Sequence, residues 1–178
     1  MIKSIARALV ALNSNVHRNQ IAAGFACGVL FALLPAGNLL WLGLFVLTFF
    51  LKLNYGMQLV VTVLLGLARP LLGAALDALG WAILGAPFLR PLFTTLYNLP
   101  IAPLTRFNNS IVMGGLAAGL LLWLPSFFAM RAFVSLYRAR LAPKVAESRI
   151  YKAFMKLPLV GKIAKATETA SGIAKALG

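Results

Sequence analysis

Hydrolytic, redox or metal chemistry needs carboxylates, imidazoles or thiolates held together, and this chain has few of any. Its only acids are Asp77, Glu147 and Glu168, its only histidine is His17, and its only cysteine is Cys27. Asp77 is the one acid within the hydrophobic region, so no carboxylate pair or carboxylate–histidine arrangement is available there for general acid–base work. His17 stands beside Arg18 in a polar entry segment and reads as an interfacial residue. One cysteine supports neither a disulfide framework nor a thiolate metal site, and the ligands for a zinc centre are too few. No glycine-rich phosphate loop precedes a helix. The chain is expected to be no enzyme and to carry no cofactor or metal.

The ionisable residues inside the apolar sequence still need a role, because charge at membrane depth is costly and usually paired. Arg69 and Asp77 lie two helical turns apart, on one face but out of contact in an unbroken helix. Asp77 is therefore expected to pair with Arg69 across a bend at Pro70, or with Arg90 or Arg106, as a packing element. The alternative makes it a proton carrier or a docking charge. The asparagines form a second set. Asn13, Asn15, Asn38, Asn54, Asn98, Asn108 and Asn109 sit at the edges of hydrophobic blocks, where side-chain oxygens cap helices and close turns. Pro35, Asn38, Arg69, Asp77, Arg106, Asn108 and Asn109 are the candidate contacts for a partner or a lipid.

The elements holding these residues are read from composition. Of 178 residues 61% are hydrophobic and 11% charged, and the mean hydropathy is +0.90. A water-soluble domain carries about 25% charged residues. No charge lies between Arg18 and Lys52 or between Arg106 and Arg131. Since a bilayer core of about 30 Å needs roughly 20 apolar helical residues, the second window fits one crossing. The expected fold is an all-α membrane protein with two or more transmembrane helices and a re-entrant helical hairpin. Interfacial amphipathic helices are expected at both termini.

Pro35-Ala36-Gly37-Asn38 divides the block from Ile21 to Leu51 into halves too short to span. Proline removes a backbone donor and pushes its predecessor out of helical geometry. A re-entrant hairpin with Asn38 capping its second half is expected, with one kinked, tilted span as the alternative. Met57 to Leu84, interrupted at Arg69-Pro70, reads as a broken crossing or a second pair of half-helices. Ala86 to Asn109, rich in proline and aromatic residues, suits an interface. Ile111 to Met130 is the clearest crossing, with Gly114, Gly115 and Gly119 offering close helix contact.

Net charge is +14, and ten of the 17 Lys and Arg residues lie from Arg131 onward. Positive charge beside a span marks the cytoplasmic side and attracts anionic headgroups. Arg138, Arg140, Lys144, Lys152 and Lys156 are the expected contacts to such lipids. Nucleic acid is not expected, since no aromatic–basic groove pattern accompanies the charge. The reading divides the chain into a cytoplasmic amphipathic segment (1–20), a membrane domain (21–133) and a basic cytoplasmic tail (134–178). Both termini face the cytoplasm, and two crossings plus the hairpin satisfy that orientation.

Several stretches together carry a resemblance. They are Leu12-Asn13-Ser14-Asn15, Gln20-Ile21-Ala22-Ala23-Gly24-Phe25-Ala26-Cys27-Gly28, Pro35 with Asn38-Leu39, and Lys52-Leu53-Asn54. Asp77, Leu96-Tyr97-Asn98 and Arg106-Phe107-Asn108-Asn109 complete the set. In this order they resemble a family of small multipass inner-membrane proteins of outer-membrane-bearing bacteria, to which no activity is assigned. A broader membrane-domain family, with a glycine-rich helix followed by proline, is similar more distantly. The resemblance covers about residues 5 to 140 and assigns no catalytic residue. It implies a bacterial inner-membrane location and pairing with a large envelope protein encoded nearby, similar to bridging proteins of lipid traffic. The expected function is a non-enzymatic subunit of a cell-envelope complex that docks this partner and assists lipid transport. The alternatives are an autonomous small transporter or channel using Asp77, or an anchor recruiting a cytoplasmic protein through its basic tail.

Overall fold

A computed structural model describes residues 17–141. The amphipathic stretch expected before His17, the tail beyond Leu141, and Lys144, Lys152 and Lys156 with it, lie outside the described residues. Within them every regular element is helical. In chain order these are α1 (Arg18–Leu33), α2 (Leu39–Thr48), α3 (Tyr55–Gly66), α4 (Arg69–Leu84), α5 (Arg90–Tyr97) and α6 (Ser110–Leu136). Single 3₁₀ turns at Pro87–Leu89 and Ala102–Thr105 flank α5, and a π turn at Tyr137–Leu141 extends α6. Among the described residues only Ser110–Arg140 is by itself long and apolar enough to cross a membrane. Helices α3 and α4 meet that length only as a pair bent by 85°.

The helix boundaries follow from local chemistry. Leu34, directly before Pro35, is extended at φ −80° and ψ 122°, which ends α1. Gly37 then takes a positive φ of 87°, a conformation that side chains with a Cβ resist. Asn38 caps α2 as expected, its Oδ1 accepting from the Trp41 N–H at 2.8 Å while its Nδ2 donates to the Pro35 carbonyl at 2.7 Å. Asn54 caps α3 by accepting from Met57 at 2.8 Å. Asn109 caps α6 by accepting from Val112 at 3.1 Å. Pro70 occupies the first turn of α4, where a missing N–H costs no helical bond. The expected break between Met57 and Leu84 is thus the bend that separates α3 from α4.

Packing centres on α1, eleven of whose sixteen residues are buried. Its neighbours are α3 on one side and α6 on the other, while α4 packs on α6. Glycine makes each of these contacts close. A Cβ on Gly28 would come within 2.6 Å of Val61 Cβ and 2.9 Å of the Gln58 carbonyl oxygen; one on Gly24 would collide with the Asn54 backbone. On the other side, a Cβ on Gly115 would lie 2.5 Å from the Leu33 carbonyl oxygen, and one on Gly119 would strike Leu30. The α4–α6 contact is tighter still, with Gly80 against the Ser110 backbone and Gly114 against that of Leu76. Gly24–Gly28 and Gly115–Gly119 each have the four-residue spacing that lets two backbones approach over a full turn.

These contacts set the chain direction. Ile21, Ala22, Met130 and Val134 share one buried cluster, and Arg18 Nη1 donates to Ser135 Oγ at 3.3 Å. The start of α1 therefore lies beside the end of α6, and its end beside Gly115, so the two helices run antiparallel. The Asn54 N–H donates to the Gln20 carbonyl at 2.9 Å, and Thr62 Oγ1 donates to the Gly28 carbonyl at 3.4 Å. Helix α3 thus runs parallel to α1. Between them, α2 carries the chain back, so the hairpin from Gln20 to Asn54 begins and ends at one level. Aromatic contacts brace it: Phe31 edge-on to Trp41 at 5.3 Å, Trp41 stacked on Phe45 at 5.3 Å, and Phe45 edge-on to Phe49 at 5.3 Å. Tyr55 closes the series through its hydroxyl, which donates to the Thr48 carbonyl at 3.1 Å.

Substitution at these glycines separates packing from propensity. Gly28→Leu and Gly115→Leu are expected to cost about 1–3 kcal/mol or more through overpacking. Gly43→Ala and Gly73→Ala, with nothing within 4 Å of the added carbon, are expected to be neutral or to stabilise by up to about 1 kcal/mol. Denaturant titration of the protein in detergent distinguishes the two classes.

Candidate functional site

Most polar residues singled out in the sequence gather at one end of the molecule, where α6 begins and the α1–α2 hairpin turns. Helix α4 brings Asp77 there, and Ser110, the first residue of α6, donates its hydroxyl to Asp77 Oδ1. Among the described residues Asp77 has this hydroxyl as its partner and no arginine, which corrects the expected ion pair with Arg69, Arg90 or Arg106. The physical reason lies in the glycine crossing. Gly80 and Gly114 bring α4 against the first turn of α6, where free N–H groups make the helix end electropositive. The carboxylate thus sits beside a positive dipole end and a hydroxyl donor, without a cation. Arg69 lies two turns back along α4, at the bend.

The loop entering α6 is fixed by its own backbone. Thr105 Oγ1 donates to the Ala102 carbonyl at 2.5 Å. Arg106 adopts the left-handed conformation at φ 54° and ψ 29°, and its carbonyl accepts from the Asn109 N–H at 2.9 Å. This turn leaves Arg106 and Asn108 exposed, buries Phe107, and aims Asn109 at its cap. Phe107 stacks on Phe93 of α5 at 6.1 Å. Between α4, α5 and this loop lies an open cavity of about 350 Å³, with Trp81, Phe93, Tyr97 and Phe107 as its aromatic wall. Asn98, Asn108, Thr94 and Leu84 complete the lining.

The hairpin tip adds Pro35, half-buried, and Asn38, buried and fully used as a cap. Helix α2 touches the turn Ala102–Thr105, which links the tip to the loop that ends at Arg106. The opposite end of the molecule is basic. Arg18 reaches Ser135, Arg131 is the residue four before it, and Arg138 and Arg140 follow on the π turn. Lys52 precedes Asn54, whose bond to Gln20 holds it at the same end. Among the described residues no acid accompanies these charges, and no group of three metal-ligating side chains occurs.

Two features were not read as sites from the sequence, although Phe93, Tyr97 and Phe107 stand in the aromatic-rich segment from Ala86 to Asn109. The aromatic cavity gathers residues from three elements, and only Asn108 of its lining was singled out as a contact. Gln58 of α3 is 1% exposed, and neither its Nε2 nor its Oε1 has a partner among the described residues. One glutamine in an apolar helix gives no hint that the bundle will close over it.

The Asp77–Ser110 contact is testable by a double-mutant cycle. Asp77→Leu is expected to destabilise by about 1–3 kcal/mol, as for loss of a partly buried hydrogen bond. Asp77→Asn, which keeps an acceptor oxygen, should lose less. Asp77→Leu with Ser110→Ala should fall short of the sum of the single changes by about 1 kcal/mol, read by denaturant titration.

No family model matches the chain, and no solved structure matches it. A curated relative does. A protein of Treponema pallidum (strain Nichols), described as "Uncharacterized protein", is 36% identical over 159 residues, covering 89% of this chain and 98% of its own. Nearly the whole of that protein and most of this chain are matched. The chain belongs to the same family as this Treponema pallidum protein.

Proposed function

We propose that the chain is a non-enzymatic subunit of a cell-envelope complex in the bacterial inner membrane, which docks a large periplasm-spanning partner and assists lipid transport. The observation that supports it best is the hairpin from Gln20 to Asn54, whose two ends are joined by a backbone hydrogen bond. Helix α2 has 10 residues, about 15 Å of helix, half of a bilayer core of about 30 Å. Leu42, Val46, Leu47 and Phe50 on and beside it are exposed. Lipid against so short an apolar wall must thin or tilt. A locally thinned leaflet lowers the barrier to withdrawing a lipid molecule, which is the step a lipid-carrying partner needs.

The proposed topology follows the basic end. With Arg18, Lys52, Arg131, Arg138 and Arg140 on the cytoplasmic side, α1 and α2 form the re-entrant hairpin, the bent α3–α4 pair crosses outward, and α6 returns. Both termini then face the cytoplasm, and the aromatic cavity opens at the periplasmic surface. Asp77, closed off by Ser110, serves packing in this reading.

Two measurements test it. Purification of the native protein in a mild detergent is expected to bring a large periplasmic protein at fixed stoichiometry, with phospholipid enriched over bulk. A lone protein carrying bulk lipid alone would overturn the docking proposal. In a Cys27→Ala background, Lys52→Cys should react with an impermeant thiol reagent only from the cytoplasmic side, and Asn98→Cys only from the periplasmic side. Labelling of Lys52→Cys from the periplasm would replace the re-entrant hairpin with a full crossing.

A further inference from the structure

Going beyond the lipid-transport reading, we propose that the aromatic cavity between α4, α5 and the loop before α6 binds an uncharged sugar ring, presented by a glycosyl lipid headgroup or by a free saccharide. Its lining excludes the other ligand classes in turn. No lining residue carries a charge, so an anion would find no counter-charge inside. A cation is disfavoured by Arg106, exposed beside Phe107 of the lining; the one described carboxylate, Asp77, is held by Ser110 outside the lining. A purely apolar ligand would strip water from Asn98 and Asn108 and return nothing, at the cost of an unsatisfied amide. What remains is a neutral ligand with one apolar face and a rim of hydroxyls.

The geometry suits that description. Phe93 and Phe107 stack on each other, which leaves Trp81 and Tyr97, 65% and 54% exposed, as open platforms. A pyranose ring presents a face of C–H bonds with partial positive charge, complementary to the negative face of an aromatic ring. Asn38, Asn54 and Asn109 use their side-chain oxygens as caps. The side chains of Asn98 and Asn108, by contrast, have no partner among the described residues. An amide offers donor and acceptor together, matching a pair of neighbouring hydroxyls. The volume, about 350 Å³, lies at the lower end of the range of roughly 300–1,000 Å³ for small-molecule sites, enough for a short saccharide.

The test uses the full-length protein in nanodiscs, without any partner, so its outcome is independent of the co-purification result. Discs are made from phosphatidylethanolamine and phosphatidylglycerol with a minor share of diglucosyl diacylglycerol, and retained lipid is read by native mass spectrometry. The glycolipid should be enriched over both phospholipids, and Trp81→Leu or Asn108→Ala should each lower that enrichment roughly tenfold. Both side chains are exposed, so circular dichroism should show the helices intact. Competition by free maltose would place recognition in the ring alone, whereas enrichment without competition would add the lipid portion; both support the site. Equal retention of all three lipids, preferential retention of phosphatidylglycerol, or enrichment unchanged in both variants would overturn it.

Discussion

Two helix backbones can touch only where no side chain stands between them, and α1 touches a neighbour on each of two sides. Gly24 and Gly28 admit α3, while Gly115 and Gly119 of α6 admit α1. In the membrane location proposed above, burial of apolar area gives little drive to associate, so close van der Waals contact has to hold helices together. Each four-residue glycine pair supplies a full turn of such contact. The α4–α6 crossing at Gly80 and Gly114 repeats the device, and the positions of Asp77, Ser110 and the aromatic cavity all depend on it.

The hairpin is a second consequence of the same core. Helix α2 lacks a glycine contact of its own, since Gly43 faces open space. It is held by aromatic rings instead, each pair contributing about 0.5–1.5 kcal/mol beyond its buried area, and by Asn38 and Tyr55 at its two ends. In the membrane topology proposed above, the irregular backbone of the hairpin requires internal satisfaction of its polar groups. The bonds of Asn38 and Asn54, with the link from Asn54 to Gln20, supply it at both reversals.

Capping and breaks were legible in the sequence because they are local. An asparagine or a proline at the edge of an apolar run fixes a helix end whatever lies beside it, which is why Pro35, Asn38, Asn54 and Asn109 read correctly. The long apolar run of α6 and its three glycines were equally plain. Partners were not legible. Apolar residues surround α1 and α6 on all sides, so periodicity names no buried face. Nothing local shows that Gly24 and Gly28 face α3, that Ser110 rather than an arginine meets Asp77, or that Gln58 is enclosed. The convergence of the cavity was hidden for the same reason, since Trp81 of α4, Phe93 of α5 and Phe107 of the loop come together only in the folded chain.

The central position of α1 has a consequence for biosynthesis. Arg18 and its partner Ser135 are separated by 117 positions, and the glycines that enclose the other end of α1 also belong to α6. At about 5–20 residues per second, the ribosome needs roughly 6–23 s to supply that closing wall. During this interval α1 has α3 on one flank and a bare flank on the other. Of the six described helices, the first to be made is the last to be enclosed, and in the membrane location proposed above lipid or the insertion machinery has to shield it until α6 emerges.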